Sequence, residues 1–416
     1  MKKADPIGES NKQVDHLFRE VSGKVVAVLM RRFGVHHIEL IMDAVQDAFE
    51  AGLIRWRYEG LPKVPEAWLM TVAHRKLLNQ LRKESHRPDI MAEVETKMDE
   101  AAIEIDGSYI KDSQLRLLLV CVNLPLSRRD RIITTLHILC GFSPAELARA
   151  MGLHFEAVRK SLYRNKLKLA QDTTWIQKEA DIHIAVNQIP TLLEILYALF
   201  NEGYKSQQGD KSVDISLCYE ALRLLKLVNE LVRDTQIQAL LALFYFHLSR
   251  FPARMDVAGD WLTLEEQDRQ LWDEFLKGAG FHHLALAKPT DRPITWYLEA
   301  VIASLHAAAP SFDQTPWKMI EQLYTKWHEA DAENPMVRLQ ALTAAIFHRA
   351  DLQLVNELEA LRSTIEDSQK YMIDATIAGL YEKLGYTEKR NQFLRQAIDQ
   401  CNQKADIRWL KKKMKQ

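Results

Sequence analysis

A chain of 416 residues, 47% hydrophobic and 27% charged, holds enough material for two or three domains with separate cores. This is the composition of a soluble globular protein, and no apolar run reaches the length of a membrane span. With nothing resembling a signal peptide at the start, the expected location is the cytoplasm, with no membrane partner.

The net charge of −1 is uninformative, but its distribution is not. Residues 1–88 sum to about +4, residues 89–112 to about −6 and residues 113–171 to about +7, and the remainder is acidic. Two basic blocks around an acidic bridge suggest a modular protein with one DNA-facing end. Cys121, Cys140, Cys218 and Cys401 have no metal-ligand or CxxC spacing, so reduced, buried thiols are expected, with no metal and no cofactor.

The first ten residues read as a lead-in. From Asn11 to Phe33, Val14, Leu17, Phe18, Val21, Val25, Val28 and Leu29 recur at helical spacing, and Gly34 stops the helix. A second helix is expected over about 37–56. Ile38, Ile41, Val45, Ala48 and Phe49 share one side, and Glu39, Asp43, Asp47 and Glu50 form a stripe on the other. That stripe is either a solvated face or a docking edge for a basic partner. The loop 58–65 carries turn residues that forbid helix.

The next helix, 66–85, has Leu69, Met70, Ala73, Leu77 and Leu81 on its core side. Its other side gathers Trp68, Arg75, Asn79, Arg82 and Lys83, with Lys76 beside them. An aromatic ring among cations suits stacked bases and bound phosphates, although Trp68 alone could as well cap the core. Residues 88–112 read as an acidic linker. Helices are expected at 114–122 and 128–139, the first broken by Pro125 and the second ended by Gly141.

Residues 143–169 follow as two short helices meeting at Gly152, the pattern of a helix-turn-helix whose second helix enters a DNA major groove. Ser143 suits the N-cap and Pro144 the first turn. Leu147, Ala148 and Met151 should pack inward, as should Phe155, Val158, Leu162 and Leu169 of the second helix. Glu156, Ala157, Lys160, Tyr163 and Arg164 should point outward, flanked by Arg159 and Lys166. Early outward residues would meet base edges and later cations phosphates. Ser143, His154 and Ser161 complete the candidate contact set.

Taken together the two basic blocks resemble a known family. The run Trp68-Leu-Met-Thr-Val-Ala-His-Arg-Lys-Leu-Leu-Asn-Gln-Leu-Arg-Lys83 resembles the promoter −10 helix of extracytoplasmic-function (ECF) sigma factors. Phe142-Ser-Pro-Ala-Glu-Leu-Ala-Arg-Ala-Met-Gly-Leu153, followed by residues 156–167, resembles their region 4, which reads the −35 element. The resemblance implies that the acidic helix corresponds to region 2.2. Glu39, Asp43, Asp47 and Glu50 would then dock on core RNA polymerase at its β′ clamp, with the β flap as the second contact. Arg75 and Asn79 stand where the family commonly has Asn and Asp, so the −10 sequence preference stays open.

More than half the chain remains. Segments 191–200, 214–231, 235–250, 263–277, 293–308, 316–330, 335–350 and 371–400 each carry helical apolar spacing. Tyr381, Gly385 and Ala397 fall at tetratricopeptide-repeat spacing, with Arg390 where that repeat usually has Ala. Leu199-Phe-Asn-Glu-Gly-Tyr204, Leu241-Ala-Leu-Phe and Leu264-Glu-Glu-Gln-Asp-Arg-Gln-Leu-Trp272 are similar to one sigma-factor group with a large TPR-like C-terminal domain. Glu202, Glu265, Glu266, Asp268, Arg269, His282 and His283 form no nucleophile–base pair and no ligand set, so no catalytic site is expected. Nor do the adjacent pairs His36-His37 and His282-His283, expected to point to different sides of a helix.

The expected fold is all-α. Residues 10–87 would form sigma region 2, 88–112 the linker, 113–172 region 4, and 180–416 a TPR-like helical-hairpin array. The expected function is an alternative sigma factor that directs promoter-specific initiation, its extension regulating activity or binding a regulatory protein. The competing reading is a helix-turn-helix regulator with a helical sensor domain that acts without replacing sigma.

Overall fold

The computed structural model describes residues 21–84, 107–151, 153–171, 189–205, 215–256, 262–287, 295–402 and 404–415. The start of the expected first helix, most of the acidic linker, and Gly152 lie outside them. Among the described residues there are eighteen α-helices and no strand, so the chain is all-α. They fall into two compact units, one reaching to Tyr204 and including Ile215–Val232, the other comprising Lys205–Asp214 and the chain from Arg233 onward.

The first unit opens with α1 (21–33), whose Val25, Met30 and Leu29 are fully buried. Gly34 at φ 91° ends it, a backbone setting that side-chain-bearing residues rarely adopt. A short 3₁₀ turn, Val35–His37, leads into α2 (Ile38–Glu59), and α3 (Pro65–Glu84) returns along it. The two run antiparallel: the Trp56 and Trp68 rings lie 5.0 Å apart, while Lys76 meets Asp47 two turns further along. Leu69, Met70, Ala73, Leu77 and Leu81 are all buried between them and α1.

Four helices follow: α4 (Gly107–Asn123), α5 (Arg128–Cys140), α6 (Pro144–Ala150) and α7 (Phe155–Ala170). Leu117, Leu118 and Cys121 of α4 have essentially no exposure, more burial than one neighbouring helix provides. The second neighbour is α9 (Ile215–Leu231), whose Cys218 Sγ donates to the Phe200 carbonyl of α8 (Ile189–Lys205) at 3.4 Å. A boundary at 172–180 was expected between region 4 and the extension. By contacts, α8 and α9 fall in the same compact unit as α1–α7, and α9 lies against α4.

The second unit is built around α10 (Thr235–Ser249), whose Leu240, Leu241, Ala242, Leu243 and Phe244 are all buried. It packs on α11 (Glu274–Leu286) and α12 (Thr295–Ala308). Gly280 of α11 permits that crossing, since a Cβ there would lie 2.6 Å from the Phe246 ring. Then come the neighbours α13 (Trp317–Ala330) and α14 (Pro335–Arg349), followed by α15 (Gln353–Leu361). The chain ends in α16 (Tyr371–Lys383), α17 (Thr387–Gln400) and α18 (Lys404–Lys413). Each pairs with its chain neighbour, and Tyr381 stacks on Phe393 across the α16–α17 pair at 5.6 Å.

One expected helix is replaced. Residues 263–273 form a turn and a 3₁₀ segment, Arg269–Leu271, and only 274–277 are helical, as the start of α11. Three side chains take over backbone hydrogen bonds there. Glu266 accepts from Thr263 N (2.9 Å), Asp268 from Gln270 N (2.9 Å) and Asp273 from Leu276 N (2.9 Å). Such local bonds compete with helix.

Candidate nucleic-acid interface

The helices α6 and α7 are held by caps and by a small polar core. Ser143 and Glu146 form a reciprocal capping box at the start of α6. Ser143 N donates to the Glu146 carboxylate (2.8 Å), and Glu146 N donates to Ser143 Oγ (3.3 Å). Gly141 ends α5 in the left-handed region, φ 70°.

On α7, Val158, Leu162 and Leu169 point inward as expected. Phe155 does not: it is 46% exposed at the helix start. Ser161, expected among the DNA contacts, is buried at 7% exposure, and Asn165 at 2%. The reason is a network with α5 that sequence reasoning missed. Ser161 Oγ donates to the Asp130 carboxylate, and Asn165 Nδ2 donates to Thr134 Oγ1 (3.0 Å) and Ser161 Oγ (3.2 Å). Ser127 Oγ also donates to Asp130, at 2.8 Å. Burial alone would raise the Asp130 pKa. Hydrogen bonds from Ser161, Ser127 and Asn165, with the nearby Arg164 charge, more than offset this and hold it below the usual carboxylate value. The available signal was a polar pair, Ser161 and Asn165, four residues apart on an otherwise apolar stripe.

What remains outward on α7 is Glu156, Ala157, Arg159, Lys160, Tyr163 and Arg164, all exposed, with Lys166 half-buried and His154 exposed at the N-cap. Arg159 pairs with Glu156 at 3.3 Å, both largely in solvent. A pair of that kind contributes about 0–1 kcal/mol, so a phosphate can take the arginine over at little cost. Ser143 is exposed but its hydroxyl already caps α6.

On α3, Arg75, Asn79, Arg82 and Lys83 are exposed along one side. Trp68 is half-buried against Trp56, so it has both a packing role and a remaining free edge. Lys76 is half-buried and its Nζ lies 3.4 Å from Asp47. Two residues expected to serve different partners therefore pair with each other across α2 and α3. The ends of α2 and the loop after it expose Ile54 (68%), Tyr58 (82%) and Val64 (58%), an apolar rim that periodicity did not show. Beneath the cationic face lies His74, buried and tilted against the Phe33 ring at 5.4 Å. Burial, with the charges of Arg32 and Arg75, lowers its pKa to about 4.

Of the acidic stripe on α2, Glu39, Asp43 and Glu50 are exposed and Asp47 half-buried. Gln46 donates to Glu50 at 3.1 Å.

The polar residues of the second unit are occupied in tying it together. Arg269 donates to the carbonyls of His306 (2.7 Å) and Ala309 (2.6 Å) and to Thr315 Oγ1 (3.0 Å). Arg250 and Arg269 both lie over the buried Trp272 ring. His283 meets Gln238 at 2.7 Å. The rings of His36 and His37, expected to diverge, lie 4.0 Å apart on the 3₁₀ turn, and those of His282 and His283 lie 5.3 Å apart on α11. Among the described residues no group of three His, Cys, Asp or Glu side chains is placed to hold a metal, and no helix is long and apolar enough to cross a membrane.

Comparison with known proteins adds four findings. Residues 17–87 match the family model described as Sigma-70 region 2. Residues 188–288 match a family of unknown function, DUF6596. A protein of Rhizobium meliloti (strain 1021), described only as uncharacterized, is 30% identical over 307 residues, which cover 72% of either chain. No solved structure matches.

Proposed function

We infer the role of this chain from its family: it belongs to the sigma-70 family, whose region 2 serves core RNA polymerase binding and promoter recognition. Within that family we propose an alternative sigma factor of the ECF type. The acidic stripe Glu39, Asp43 and Glu50 would dock on the polymerase β′ clamp. The α3 face with the loop before it would help open the −10 region. The exposed face of α7 would read the −35 element. The observation that carries this reading is the coexistence, in one compact unit, of a matched region 2 and a recognition-type helix whose polar residues Glu156, Lys160, Tyr163 and Arg164 stay in solvent. An operator-binding repressor has no use for the acidic stripe or the Trp68 face.

No catalytic step is assigned to the chain, since the polymerase performs the chemistry. The C-terminal helices are proposed as a TPR-like module that regulates activity or binds a protein partner. Their sequential pairing, α13 with α14 and α16 with α17, supports this, as does Gly385 at φ 75° between α16 and α17.

Run-off transcription with purified core polymerase tests the reading. Addition of the full chain should yield transcripts from a subset of genomic fragments. Glu39→Lys with Asp43→Lys should abolish them by weakening core binding. Absence of any promoter-dependent transcript with the native chain would refute it, and salt-dependent operator binding alone would then favour a regulator that does not replace sigma.

A further inference from the structure

Within the first unit the two DNA-reading surfaces are held close together. Helix α7 rests on the Val35–His37 turn and on α2, while α3 lies along α2. With 22 residues, α2 is about 33 Å long, so the outward faces of α3 and α7 lie within roughly 45 Å once a helix diameter is added. The −10 and −35 elements are named for positions about 25 base pairs apart, which is roughly 85 Å of B-form DNA. The reach is about half of what simultaneous reading demands.

Two features keep the halves together. First, α1 and α5 meet backbone to backbone: a Cβ on Gly23 would lie 1.6 Å from the Leu139 carbonyl oxygen, so only glycine fits. Second, the pair α8–α9 is fastened to the same junction. Glu194 of α8 pairs with Arg128 at the start of α5. Arg223 of α9 donates to Glu220 through Nε and Nη2 (2.7 Å each) and to Gln114 Oε1 of α4 (2.8 Å). Its charge also feels Glu66 on α3, itself paired with Lys24 of α1 at 3.2 Å. One arginine of the C-terminal segment thus bonds α4 on the region 4 side of the junction and lies within electrostatic reach of Glu66 on the region 2 side.

We propose that α8–α9 is a strap in cis, pinned by Arg223, that keeps the region 4 helices closed on region 2, and that promoter engagement requires its release. This rests on the sigma-factor reading above, and it places an autoinhibitory contact in the first hairpin of the C-terminal segment rather than in its distal helices.

Energy transfer in the full chain tests it. The four cysteines are buried, so dyes can be directed to exposed positions by Arg57→Cys and Lys168→Cys. The labelled protein alone should show high transfer, and most of it should be lost with core polymerase and promoter DNA. Glu194→Lys, which opposes like charges at Arg128, Arg223→Met and Gly23→Leu should each lower transfer without polymerase. Native transfer in Glu194→Lys and in a folded Arg223→Met, verified by unchanged circular dichroism, overturns the strap. So does unchanged transfer in complexes that make transcript. If core polymerase yields no transcript at all, the sigma reading fails, and the variants without polymerase still report on the closed contact.

Discussion

Asp130→Ala should loosen α7 without removing any residue from its exposed face. Asp130 accepts from Ser161 and from Ser127, and Asn165 is linked to the same network through Ser161 Oγ at 3.2 Å. Hydrogen bonds to a charged group contribute about 1.5–3 kcal/mol each. Asp130 is half-exposed and Asn165 keeps its bond to Thr134, so about 2 kcal/mol is a fair net loss for the α5–α7 contact. At about 1.36 kcal/mol per factor of ten, that is roughly a thirty-fold rise in local opening. Hydrogen-exchange mass spectrometry on peptides covering 158–169 reads it directly. Binding to a −35 duplex should weaken only modestly, in proportion to the fraction of α7 that is open. Asp130→Asn, which keeps an acceptor, should fall between. If exchange is unchanged while DNA affinity rises, Asp130 acts by repelling phosphate, and the positioning argument is wrong.

Three further outcomes are expected. Lys160→Ala or Arg164→Ala should each reduce the slope of log K against log salt by about 0.9 for the −35 duplex, with core polymerase affinity unchanged; equal slopes would remove these two from the phosphate contacts. His74 should make the first unit acid-labile. Its pKa is about 4 when folded against 6.5 for a freely solvated histidine, so the folded state favours the neutral ring. The contribution is fully present above pH 6.5 and is lost as pH falls toward 4, up to roughly 3 kcal/mol. Denaturant midpoints from pH 7 to 4 should therefore fall more steeply for the native chain than for His74→Phe, and parallel curves would contradict the assignment. In the second unit, Asp374 has no exposure and is held by Arg362 and by Gln400 Nε2 at 2.9 Å. Arg362→Ala should lower that unit's stability by about 3–5 kcal/mol by stranding a buried charge, whereas Arg362→Met with Asp374→Leu should recover most of it in thermal unfolding.

Much of this protein is set by local sequence. Helical periodicity, Gly34, the Ser143–Glu146 capping box and the outward placement of Arg75, Asn79, Lys160 and Arg164 are short-range properties, governed by neighbours within one or two helical turns. The all-α class followed from them, while the resemblance to sigma factors rests on the runs 68–83, 142–153 and 156–167. Three things depended on residues distant in sequence. Ser161 turned inward because Asp130 on another helix accepts its hydrogen bond, which no feature of α7 alone encodes. Lys76 and Asp47 became partners because α3 returns antiparallel along α2. The first compact unit extends to the end of α9, which lies against α4 and adds to the cover of its apolar side. In each case a helix declares which side is apolar, but only packing decides which neighbour covers it.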